Sequence, residues 1–129
     1  MIEKTDIFDY NITYGSEIEL IDHVMLMKAQ KKFSHIVTMN PEIIIGSEKN
    51  LITKNWIMKS DLILADGVGI KWAFSLLKQK DISVLTGINL VYQLLQQKKV
   101  SFYFVGASEK IIKKAVQKTR KKYQDITIV

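Results

Sequence analysis

The stretch LILADGVGIKWAF, Leu62 to Phe74, changes its pattern part-way along. Four apolar residues give way to one acid, Asp66, then to Gly67 and Gly69, and then to apolar residues at helical spacing. An apolar run, a glycine turn and an amphipathic run in that order predict a buried strand feeding a helix, here over Ile70 to Lys78. Asp66 stands at the junction of the two.

The same form recurs on both sides. In HIVTMNPEIIIG, His35 to Met39 reads as a buried strand, Asn40 can cap a helix, and Pro41 suits its first position. NLITKNWIMKS and TGINLVYQLLQQKK are helical, VSFYFVGAS is an apolar strand ending in a glycine turn, EKIIKKAVQKTRKKY is a helix, and DITIV is a last strand. Upstream, IFDYNITYGS reads as a strand pair or a strand and turn. Ser16 with Glu19 then forms a capping-box pattern that opens a helix to about Gln30, with Ile18, Ile21, Val24, Met25 and Ala29 on one stripe.

Strands alternating with helices at this spacing pair in parallel through crossovers. The expected fold is therefore α/β, a Rossmann-like, mostly parallel sheet flanked by helices with a short N-terminal strand pair, in a single domain over residues 1–129. Ligands of such sheets bind beyond the carboxyl ends of the strands. Three polar turns fall there: Thr38 to Asn40, Ala65 to Gly69, and Gly106 to Ser108. The apolar ITIV would sit best inside a covered sheet, yet no helix follows it, so the chain is expected to stop mid-fold and to self-associate through an exposed edge.

Composition narrows the function classes. The 129 residues are 47% hydrophobic, enough for one core, and contain no cysteine, which removes disulfides and thiolate metal sites. Two histidines, His23 and His35, are too far apart in sequence to suggest a metal cluster. MIEKTDIFDY lacks the order of a signal peptide, and no apolar run approaches the roughly 18 residues of a membrane span, so a soluble chain is expected. The net charge of +6 invites a polyanion reading, but eighteen of the nineteen basic residues are Lys and only Arg120 is Arg. Base and phosphate readers favour the Arg fork. In the most basic helix, Ile111, Ile112, Ala115, Val116 and Thr119 take one face and the lysines a solvated one, so no nucleic-acid partner is expected.

At the turns, structural and chemical readings compete. Asp66 can cap a helix or brace a turn. Alternatively, Gly67 and Gly69 let the backbone turn tightly around a ligand and leave the carboxylate in the crevice. Asn40 is divided in the same way, and Ser108 can cap while the Gly106–Ala107 turn meets phosphate. A dinucleotide fingerprint fails because its third glycine would fall at Trp72, and no P-loop or D-x-D pair is present.

Taken together, TMNPEII, LILADGVGIKWA, TGINLVYQL and FYFVGASEKIIKKAVQKTRKKY resemble the WecG/TagA/CpsF family of bacterial glycosyltransferases, in order and spacing, from about Ile7 to Val129. The most specific element is the D-G-x-G-x-x-W-A block, Asp66 to Ala73. The resemblance implies transfer of N-acetylmannosamine from its UDP form to a polyprenyl-diphosphate-linked N-acetylglucosamine at the cytoplasmic membrane face, in teichoic acid or exopolysaccharide synthesis. It implies inversion without a metal or other cofactor. Asp66 is then the general base. Thr38, Asn40, Gly67, Gly69, Thr86, Gly87 and Asn89 line the substrate site, and Gly106 and Ala107 lie near the nucleotide. In the block usually written R-V-x-G-x-D, this chain has VLTGIN, with Val84 and Asn89 in place of the arginine and the acid. The family runs on past this C-terminus, so the resemblance leaves two expectations: an enzyme completed by a second chain, or a nucleotide-sugar-binding remnant without turnover.

Overall fold

The computed structural model describes residues 2–30, 33–78, 80–97, 100–123 and 125–129, which divide into two compact units, up to Leu90 and from Val91. The first unit opens with an antiparallel hairpin, β1 (Glu3–Ile7) and β2 (Tyr10–Tyr14), in which Ile7 pairs with Tyr10. The two loop residues, Phe8 and Asp9, both have positive φ, 52° and 67°. That is the left-handed turn that matches the twist of a two-residue hairpin, made here without glycine.

Helix α1 (Glu17–Ala29) begins as its sequence predicts. Glu19 N–H donates to Ser16 Oγ at 3.4 Å while Ser16 N–H donates to Glu19 Oε2 at 3.1 Å. Its buried residues are Leu20, Ile21 and Val24, whereas Ile18 and Ala29, expected on the same stripe, are exposed. Then come β3 (Ile36–Met39), α2 (Pro41–Glu48), α3 (Leu51–Met58), β4 (Leu62–Ala65) and α4 (Gly67–Lys78). Asn40 and Asn50 cap α2 and α3 by accepting from Ile43 and from Ile52 and Thr53 N–H groups.

The sheet order is β1-β2-β4-β3, with β4 parallel to both its neighbours. This is the α/β fold expected from the sequence, a mostly parallel sheet with an antiparallel strand pair at its start. All four residues of β4 are buried, as a central strand covered on both faces requires. Tyr10, Ile12, Tyr14, Met39, Ile63, Ala65, Ile70 and Phe74 share one apolar cluster. The Tyr10 hydroxyl lies 2.6 Å from Ser47 Oγ, which donates to the Ile44 carbonyl, so this buried polar pair is satisfied. Thr13 is fully buried too, but its hydroxyl has no partner among the described residues.

Helix α5 (Gly87–Leu95) starts in the first unit. The second unit holds β5 (Ser101–Phe102), α6 (Glu109–Lys122) and β6 (Thr127–Ile128), with β5 and β6 paired in parallel. The strand expected over VSFYFV is thus only two residues long. On α6, Ile112, Val116 and Thr119 are half-buried while Ile111 and Ala115 are exposed. Arg120 is exposed on this helix, and its guanidinium donates to the Ile128 carbonyl at 3.0 Å, which ties α6 to the last strand. Among the described residues, six helices form, and none is long and apolar enough to cross a membrane.

Candidate active site

Parallel register sets the site. Met39 pairs with Ala65, so Asn40 and Asp66 leave adjacent strands at the same level, about 4.8 Å apart in strand spacing. Asp66 N–H donates to the Met39 carbonyl at 2.8 Å, fixing this junction. The next segment returns to it: Leu85 N–H donates to the Ala65 carbonyl at 3.1 Å. That bond places Thr86 and Gly87 beside the end of β4.

Asp66 is half-buried, and its Oδ2 accepts from Gly87 N–H at 3.1 Å. The carboxylate is therefore held by the first amide of α5, and its Oδ1 has no partner among the described residues. One oxygen thus supplies the turn brace expected of Asp66, and the other carries no such bond. Gly67 has φ of 81°, a conformation that L side chains rarely adopt, and this lets the chain turn from β4 directly into α4. The helix accordingly starts three residues earlier than the Ile70 expected from periodicity.

Two further glycines are set by close approach. A Cβ on Gly69 would stand 2.5 Å from Pro41 Cγ, and one on Gly87 would stand 2.9 Å from Thr38 Oγ1. The starts of α2, α4 and α5 thus meet around Thr38, Asn40 and Asp66, with their positive dipole ends at one place. Asn40 spends its Oδ1 on the Ile43 amide at 2.9 Å, so capping is its visible role. Thr86 Oγ1 accepts from Asn89 N–H at 3.3 Å, and Asn89 is exposed in the first turn of α5. Val84, where the resemblance puts an arginine, packs half-buried against the apolar cluster.

Gly106 and Ala107 belong to the second unit, where they form a turn with φ of 116° and 53° ahead of α6. Ser108 holds the cap position of α6 by its backbone, but its side chain makes no capping bond. What sequence reading missed is Gly87 as the donor to Asp66. The signal was present in TGINL, where a threonine and a glycine open a helix much as Asp66 and Gly67 do.

Comparison with known proteins points the same way. Residues 5–129 match the profile of the "Glycosyl transferase WecG/TagA/CpsF family". A protein of Bacillus spizizenii named N-acetylglucosaminyldiphosphoundecaprenol N-acetyl-beta-D-mannosaminyltransferase is 30% identical over 102 residues, which cover 77% of this chain and 40% of the relative. Proteins of the same name from Bacillus subtilis and Staphylococcus aureus are 27% and 24% identical over 92% and 96% of the chain. The chain spans about half the length of these curated relatives, 49% and 51% for the latter two.

Proposed function

This chain belongs to the WecG/TagA/CpsF family of glycosyl transferases, and we propose that Asp66 is the general base of a transfer of N-acetylmannosamine from its UDP form to a polyprenyl-diphosphate-linked N-acetylglucosamine. The observation that carries this reading is the divided carboxylate. Gly87 N–H orients one oxygen, and the other remains open to an acceptor hydroxyl at the carboxyl end of the sheet. As the acceptor oxygen bonds to the anomeric carbon, its proton passes to Asp66 and the bond to UDP breaks from the opposite face. The N-termini of α2, α4 and α5 supply positive potential for the departing diphosphate.

The relatives' names support the N-acetylmannosaminyl group and the lipid-diphosphate-linked acceptor; the UDP donor, a place at the cytoplasmic membrane face and a role in cell-surface polymer synthesis belong to the same proposal. The chain spans about half the length of those relatives, so the proposed reaction also draws on the part of the family sequence that these residues do not cover. The replaced pair, Val84 and Asn89, favours a second reading: a nucleotide-sugar-binding module without turnover. In this chain Val84 is part of the apolar packing, so this position offers a bound substrate no cation.

Calorimetry with UDP and UDP-N-acetylmannosamine, on the wild type and Asp66→Asn, separates these readings. The proposal expects UDP to bind both proteins and sugar transfer to a lipid-linked acceptor to depend on Asp66. Binding without transfer, even beside the remaining half of a family member, supports the module. Failure of the folded protein to bind any nucleotide overturns both.

A further inference from the structure

We propose a second, non-catalytic site, for a neutral saccharide, at the amino ends of β3 and β4, the end of the sheet opposite Asp66. A cavity of about 670 Å³ opens there, within the range of small-ligand pockets. One wall is α3, where Ile52 and Trp56 stand one turn apart and Asn55 and Lys59 form the neighbouring row. Phe33 faces the same space. Trp56 is 67% exposed and Phe33 92%, although aromatic surface of this size is ordinarily buried.

The floor is rigid. His35 N–H donates to Asp61 Oδ2 at 2.7 Å, and the Asp61 and Leu62 amides donate back to the His35 carbonyl at 2.9 and 3.3 Å. Among the described residues, the His35 imidazole, the Asn55 amide, the Lys59 ammonium and the second Asp61 oxygen have no hydrogen-bonding or ionic partner. These groups include both donors and acceptors, which suits hydroxyl groups that need both. Among the described lining residues, Lys59 and Asp61 cancel in charge, which gives a phosphate or nucleotide no net positive charge to favour it. Flat apolar walls with a balanced polar floor match the two-sided surface of a pyranose ring. This inference is independent of the role given to Asp66.

The protein has two tryptophans, so the Trp72→Phe variant reports Trp56 alone. Its emission is followed during titration with the neutral disaccharide N,N′-diacetylchitobiose and, separately, with UDP. The expected result is a saturable change with the disaccharide at a Kd of about 1 mM or tighter, weakened at least tenfold by Asn55→Ala at unchanged melting temperature, and no change with UDP. No saccharide response, a response indifferent to Asn55→Ala, or displacement of the disaccharide by UDP would each overturn the proposal. UDP binding at Asp66 is measured by heat rather than by Trp56 emission, so the two proposals fail separately.

Discussion

Gly69 lies so near Pro41 that a Cβ added to it would stand 2.5 Å from the proline Cγ, a separation that real Cβ atoms essentially never show. The contact is between the first turns of α2 and α4, and it sets how closely the two helix starts approach Asp66. Gly69→Ala must push them apart, because a proline ring cannot swing aside as a long side chain can. A loss of about 1–3 kcal/mol is expected, read as a fall in the denaturant midpoint. Gly46→Ala is the control: nothing lies within 4 Å of the added methyl, so the better helix former stabilises α2 by about 0.5–1 kcal/mol.

Asp66→Asn keeps an oxygen that can accept from Gly87 N–H, and so keeps the junction while removing the base. Turnover by a completed enzyme should fall by about 10²–10⁴, with nucleotide affinity and melting temperature little changed. Asp66→Ala leaves that amide without its partner and should also destabilise, by about 1 kcal/mol. Equal transfer rates for the Asp66→Asn variant and the wild type would remove Asp66 from the chemistry.

Stability should respond to pH at both ends through one cluster in which the charged Glu3 and Lys80 are solvent-exposed and Tyr14 reaches them from the core. Lys80 Nζ and the Tyr14 hydroxyl both donate to Glu3 Oε2, at 2.6 and 2.7 Å. The lysine bond first, and the tyrosine bond second, hold the Glu3 carboxyl below its ordinary 4.5. The same Glu3 contact, followed by Tyr14, raises Lys80 above 10.5. A lowered acid contributes stability that is present above pH 4.5 and is lost as pH falls through its folded value. A raised lysine contributes stability that is present below pH 10.5 and is lost as pH rises through its folded value. Melting curves of Glu3→Gln should therefore be flatter on both limbs, and the difference should shrink in high salt because the cluster is solvated.

Thr13 is fully buried on β2, and its hydroxyl has no partner among the described residues. Valine has nearly the same shape without the unsatisfied group. Thr13→Val should raise stability by about 1 kcal/mol in denaturant titration. A loss of stability instead would mean that the hydroxyl is satisfied by solvent that reaches it.

The strand-turn-helix order was legible because apolar runs, caps and glycines agree locally: Ser16 and Glu19, and Asn40 and Pro41, each start a helix where their chemistry predicts, while the helix after Asp66 starts three residues ahead of its apolar period. Close approach was not legible. Gly69 against Pro41 and Gly87 against Thr38 join residues 28 and 49 positions apart, as the numbering shows. Only the register of β3 on β4 brings them together, and no local pattern encodes it. The amphipathic stripe on α1 was right at Ile21 and Val24 but missed Leu20 and took in the exposed Ile18 and Ala29, and that on α6 was read too broadly, because period alone does not say which arc is buried. The Glu3–Tyr14–Lys80 cluster escaped for the same reason as the glycine contacts.

The hairpin gives the sharpest test of local against distant control. Phe8 and Asp9 both adopt positive φ, yet neither is glycine, and a bulky residue pays most in that region. The hydrophobic pattern of β1 and β2 therefore imposes the turn: Ile7, Tyr10, Ile12 and Tyr14 can all reach the apolar cluster only if Ile7 faces Tyr10 across a two-residue loop. If so, supplying the turn's preferred residues should relieve strain without moving the register. Phe8→Asn with Asp9→Gly is expected to stabilise by about 1–2 kcal/mol. Part of the gain is offset by losing the Lys54–Asp9 contact of 3.3 Å, which is solvent-exposed and worth little. If the double variant is instead less stable, the turn residues hold the hairpin and the core follows from them.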